Sequence, residues 1–176
     1  MFSSTAWGIK EPETGRTFPN TTTCGGAQAK AAGVGVREAT FGIDVYAVVL
    51  YASDKAAGQS VRSTSECIKI RARFVRDVGA DKIRAAWLKG FKKNGLSASD
   101  PTVTKFLGVV GGEMKKNREM VMEMHGSKVI HKYMGKTVTV TGAAKLARAL
   151  KSIYTGSGSP TPELLKDLKK RGMVRP

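Results

Sequence analysis

The chain has 176 residues, 41% of them hydrophobic and 7% aromatic, with a formal net charge of +16. That length suits one domain over residues 1–176 with a real apolar core, and the composition excludes long disorder. No apolar run reaches the roughly 18 residues of a membrane-crossing helix, so a transmembrane role is set aside.

The charge is lopsided. Residues 1–66 hold six Lys/Arg and six Asp/Glu, so the whole excess falls in residues 67–176. Such asymmetry admits a nucleic-acid or anionic-membrane surface as partner. No nucleic-acid motif accompanies it and aromatics are not interleaved with it, so a solvated basic face is the favoured reading. The first residues, MFSSTAWGIKEPETG, lack a basic segment followed by an apolar run. An intracellular location is therefore expected, with an organelle as the alternative if a targeting segment has been removed. Cys24 and Cys67 lack metal-ligand spacing and are read as two buried thiols rather than a bridge. His125 and His131 stand six apart, on opposite strands of a hairpin, a poor metal site. No metal and no cofactor are expected.

In chain order, IKEPETGRTFPN reads as an extended entry with a Thr-Gly turn, followed by TTTCGG as a loop. AQAKAAGVGV leads into a strand ending near Arg37, and Gly42 marks the turn to the next. From Ile43 to Tyr51 apolar residues occupy both parities, as in a strand covered on both faces. DKAAGQSVRSTS is a loop. ECIKIRARFVRDV then alternates, with Ile68, Ile70, Ala72 and Phe74 inward and Lys69, Arg71 and Arg73 outward and solvated.

GADKIRAAWLKGFKKNG places Ile83, Trp87, Leu88 and Phe91 on one helical stripe ending at Gly95. A second helix starts at Asp100 as N-cap with Pro101 in its first turn. Short strands follow, turning near His125-Gly126 and Met134-Gly135, with Met120, Met122 and Met124 on one packing face. GAAKLARALKSIYTG and SPTPELLKDLKKRG supply two closing helices, the last capped by Thr161. Strands, two helices, strands, two helices: the order implies an α+β domain, a large antiparallel sheet with helices gathered on one face. A cleft between the layers is where an apolar ligand would sit.

Four segments in register, TGRTFP, GVGVREATFGIDVYAVVLYAS, FVRDVGADKIRAAW and LARALKSIYTGSGSPTPELLK, resemble the chalcone isomerase family over nearly the whole chain. The resemblance implies an open-faced β-sandwich with a ligand cleft between sheet and helices. It also implies one of two functions: closing a chalcone to a flavanone, or binding a fatty acid without transforming it. Carried over, Arg37 matches the family's arginine and Tyr46 lies in its Val-Tyr-Ala strand. Ser152 and Ile153 fall on the late helix that lines the cleft. The positions where the enzymes carry a tyrosine and an asparagine correspond to about Gly79 and Ala86. Losing one enolate-stabilising donor costs roughly 10²–10³ in rate, so a non-enzyme is favoured. An intramolecular lyase with Arg37 and Tyr46 as catalytic groups is the alternative.

The expectation is then a fatty acid, or another apolar carboxylate, gripped by Arg37 and Tyr46 with Ser152 and Ile153 nearby. Against it stand blander roles: a salt bridge from Arg37 to Glu38 or Asp44, a core hydrogen bond for Tyr46, and a plain helix-face Ser152. Acyl length, oligomeric state and compartment are left open.

Overall fold

Each strand of the main sheet pairs with its neighbour in sequence, whether the connection is a tight turn or carries helices. The computed structural model describes residues 8–176. A short ribbon of β1 (Ile9–Lys10) and β2 (Thr17–Phe18) comes first. The main sheet contains β3 (Thr21–Cys24), β4 (Ala27–Ala39), β5 (Ile43–Ser53), β6 (Ile68–Phe74), β7 (Glu119–His125), β8 (Lys128–Tyr133) and β9 (Lys136–Val140). All seven run antiparallel in sequence order. Between β6 and β7 lie α1 (Ala80–Lys93) and α2 (Pro101–Leu107); α3 (Ala144–Thr155) and α4 (Pro162–Arg171) follow β9. No helix among the described residues is long and apolar enough to cross a membrane.

The segment read as the loop TTTCGG is in part a strand. Gly25 and Gly26 both adopt positive φ, 59° and 79°, as a two-residue hairpin loop with the twist of its flanking strands requires. That turn pairs Cys24 with Ala27.

The mixed parity of β5 has two covers behind it. Tyr46, Val48, Leu50 and Ala52 enter the main core beneath the helices. Ala47, Val49 and Tyr51 enter a smaller core on the other face, closed by Ile9 and Phe18 of the β1–β2 ribbon. The outward row of β6 is correspondingly not free in solvent. Arg71 and Arg73 share the Glu119 carboxylate, Lys69 pairs with Glu123 at 3.1 Å, and the Arg73 guanidinium lies 5.4 Å from the Phe18 ring centre. Glu119 and Glu123 stand opposite these cations in the β6–β7 register, which supplies the cross-strand partners that a single strand's pattern does not show.

A second correction concerns the cysteines. Cys24, closing β3, and Cys67, one residue before β6, are joined by a disulfide with Cα atoms 5.8 Å apart. Both are buried. They meet because the β3–β4 and β4–β5 hairpins fold the chain back on itself, a closeness that a 43-residue separation conceals.

Helix ends mostly follow local chemistry. The Asp100 carboxylate accepts the Thr102 N–H at 2.8 Å and caps α2. Thr161 occupies the N-cap of α4 without a side-chain capping bond; its hydroxyl lies 3.0 Å from Ser159 Oγ instead.

The placement of α4 rests on Gly33 and Gly35. Both lie on the helix-facing side of β4, opposite Leu50 and Val48. A Cβ on Gly35 would stand 2.4 Å from the Leu164 backbone nitrogen, and one on Gly33 would stand 2.9 Å from Leu168 Cδ2. The helix therefore docks backbone to backbone. It also shields the part of β4 that β3, pairing only Ala27–Lys30, leaves uncovered. There Asp167 Oδ2 accepts the Val34 N–H at 2.9 Å, which satisfies an edge donor. We expect Gly35→Ala to destabilise the fold by about 1–3 kcal/mol through overpacking, because the atom it meets is backbone. Chemical denaturation checks this: a loss below about 0.5 kcal/mol would show that α4 is free to slide.

Candidate functional site

Gly33, Gly35 and Arg37 alternate along one face of β4. The two glycines admit α4, and Arg37 continues the row beyond them. It pairs directly with Tyr46 across the β4–β5 ladder, next to a register shift between Arg37 and Glu38. Opposed residues of an antiparallel pair share a face, so both side chains belong to the helix-covered side, where Tyr46 is buried in the main core. Arg37 itself is partly buried. It makes no salt bridge or hydrogen bond with another side chain among the described residues.

The third member comes from α3. Tyr154 is 1% exposed, and its hydroxyl lies 3.4 Å from that of Tyr46. That separation is long for an O–H···O bond, whose usual distance is about 2.7–2.8 Å. The two phenols thus face each other without a tight bond between them. Burial pushes the Tyr154 hydroxyl well above its ordinary range, the Tyr46 phenol adds to the shift, and the Arg37 charge partly offsets it. Tyr154 consequently stays protonated and can donate. Tyr46 packs on Phe74 at 5.2 Å between ring centres, and Tyr154 on Trp87 at 6.2 Å. Behind them Trp87, Phe91 and Phe106 form a close aromatic cluster.

The corner holds a guanidinium and two hydroxyls on an otherwise apolar floor. Such a set suits an anion with two oxygens, the guanidinium taking it by parallel N–H bonds.

Ser152 and Ile153 lie elsewhere. Ile153 Cδ1 would be 2.9 Å from a Cβ on Gly90, so it packs α3 against α1. Ser152 lines a small outer groove of about 180 Å³ with Asn94, Leu96 and Arg148. A larger open groove, about 600 Å³, runs between α4 and the β1–β2 turn, past Val34, Lys10 and Lys170. Neither groove is lined by Arg37 or Tyr46. Gly79 is the N-cap of α1, and a Cβ there would meet nothing within 4 Å. Ala86 lies within α1.

The open-faced antiparallel sheet with its helix layer agrees with a family match. A family model described as chalcone isomerase-like matches residues 12–169. The chain belongs to the chalcone isomerase-like family. No curated protein matches it by sequence. Among solved structures, it is similar to the crystal structure of a fatty-acid binding protein from Arabidopsis thaliana, with a TM-score of 0.75 at 20% identity, covering 94% of this chain and 97% of that one. The likeness at that identity is one of fold: a seven-stranded antiparallel sheet with its helix layer. Tyr154, which meets Tyr46 in this candidate corner, is the residue that the sequence reading does not single out. Its place in the Ile153-Tyr154-Thr155-Gly156 run, inside one of the matching segments, was the available signal.

Proposed function

We propose that this chalcone isomerase-like protein binds a fatty acid or similar apolar carboxylate between sheet and helices without transforming it. The observation that carries the reading is Arg37, a partly buried residue without a carboxylate partner among the described residues, paired directly with Tyr46 across the ladder. Desolvating an arginine is costly without an anion, and the Tyr46 and Tyr154 hydroxyls, 3.4 Å apart, are two further donors that such an anion would use. The similar Arabidopsis structure is that of a fatty-acid binding protein, which supports the same class of ligand. The acyl chain contributes about 0.8 kcal/mol per CH₂ removed from water.

The space above the site is occupied by Trp87, Phe91 and Phe106. Entry of an acyl chain therefore requires α1 and α2 to move off the sheet, so uptake is slower than free encounter.

Lipid extracted from the purified protein and measured by mass spectrometry should contain a fatty acid at near one per chain. Arg37→Ala should weaken retention about ten- to hundredfold, the size of a lost charged hydrogen bond. Tyr154→Phe should weaken it severalfold. Full occupancy in Arg37→Ala would sink the carboxylate role. Rapid loss of chalcone absorbance, abolished by Arg37→Ala, would move the protein to the isomerase branch.

A further inference from the structure

The disulfide sits in a setting that suggests more than a staple. The ligand atoms of Cys24, Cys67 and Glu123 lie within 4.8 Å of one another. Glu123 is fixed in place: its Oε1 accepts the Gly25 N–H at 2.9 Å and its Oε2 is 3.1 Å from Lys69 Nζ. His125 borders the same corner. A Cβ on Gly25 would stand 2.6 Å from His125 Nδ1 and 3.3 Å from Cys67 Cβ, so that nitrogen is no more than about 6 Å from this cysteine. The two sulfurs are buried, Glu123 is partly buried and His125 is exposed. A cation thus has a route from solvent to the thiols.

We propose that, once the disulfide is reduced, Cys24, Cys67, Glu123 and His125 bind one Zn²⁺. The donors are two sulfurs, an imidazole nitrogen and a carboxylate oxygen, types that zinc accepts in tetrahedral sites. Zn–S bonds of about 2.3 Å hold two tetrahedral sulfurs about 3.8 Å apart, a spread that side-chain rotation supplies with Cα atoms 5.8 Å apart.

The charges also balance. Two thiolates and one carboxylate against Zn²⁺ leave one negative charge, and the Lys69 ammonium beside Glu123 neutralises it. The chemistry begins with a dithiol or phosphine reductant. The S–S bond breaks, taking up two electrons and two protons; the reductant leaves as its own disulfide or as the phosphine oxide, with water supplying the oxygen. Zinc then displaces both thiol protons to solvent. In sequence these ligands come from β3, the residue before β6, and two positions of β7, so none of the usual short ligand spacings announces them. The metal and the disulfide would be exchangeable ties across the same corner.

The test uses the full chain, reduced with a phosphine, freed of reductant without air and titrated with Zn²⁺ against a chromophoric chelator. One zinc per chain is expected in the reduced protein and none in the oxidised. Co²⁺ in place of zinc should give thiolate-to-metal charge-transfer absorption. His125→Ala and Glu123→Gln, on the rim where folding is least at risk, should each weaken binding at least about tenfold. The Cys24→Ser/Cys67→Ser double variant should abolish it. No zinc retained after reduction, equal retention by the oxidised protein, or unchanged affinity in either rim variant would overturn the assignment.

Discussion

Reduction of the Cys24–Cys67 bond is expected to lower stability by about 4 kcal/mol. The bond closes a segment with a sequence separation of 43, and the loop-entropy relation for that length gives a value of this size. What it restrains is specific. β3 is the outermost strand of the sheet and pairs only four residues of β4. The disulfide ties its end to the start of β6, across β4 and β5. Without the tie, the unfolded chain gains freedom and the edge hairpin loses its anchor. For a chain of this length, 4 kcal/mol corresponds to a fall in Tm of about 8–16 °C. Thermal melts of oxidised and phosphine-reduced protein, both with a metal chelator present, provide the measurement. The chelator separates this loss from the zinc-bound reduced state inferred above. Midpoints within about 2 °C of each other would show that β3 holds without the bond.

The fold was largely legible because its elements announce themselves locally. β6 alternates without exception, with Ile68, Ile70, Ala72 and Phe74 all buried. Asp100-Pro101 marks the start of α2 through chemistry contained within three residues. The doubly apolar β5 signalled two covers, although not that the second would be a two-stranded ribbon. What stayed hidden depends on contacts far apart in the chain. The β6 cations were assigned to water because their carboxylate partners lie on a strand some 50 residues away. The pairing of the cysteines and the meeting of Tyr154 with Tyr46 are hidden for the same reason, the first spanning 43 residues and the second 108. Tyr154 falls on the buried side of an amphipathic helix, where a tyrosine reads as filler. Arg37 and Tyr46 stand out as a candidate pair only through the family's motif; that the ladder sets them opposite each other comes from the structure. Ser152 shows the geometry of a helix at work: two residues before Tyr154, it is rotated by about 200° and faces the opposite side. A helix cannot offer both to one ligand corner.

Acid should weaken this protein through the buried His131. The imidazole is 0% exposed, in β8, stacked on Phe106 with ring centres 4.1 Å apart. Its Nδ1 lies 2.9 Å from the Phe106 carbonyl oxygen, so Nδ1 carries the proton and donates. Nε2 is buried without a partner among the described residues, so none of them waits to share a second proton. Burial therefore lowers the His131 pKa from 6.5 to about 4, against a smaller upward pull from the Phe106 carbonyl. The folded pKa lies below the unfolded one, so the contribution to stability is complete above pH 6.5. It is lost as pH falls towards 4, because the unfolded chain takes the proton first. Integrated over that window, the loss reaches about 3 kcal/mol. His131→Asn keeps a side-chain donor for the Phe106 carbonyl but cannot titrate. It should be less stable than the parent at pH 7.5, since it loses the stacked ring. The two proteins should then converge as pH falls, with the difference narrowing by about 3 kcal/mol at pH 4. Urea denaturation of both proteins at half-unit pH steps measures this directly, and parallel curves would mean that the imidazole titrates in the fold as it does in water. The stretch of chain around His131 was legible as a packed strand. The weakness built into it was not, because it lies in one nitrogen left without a partner under the second helix.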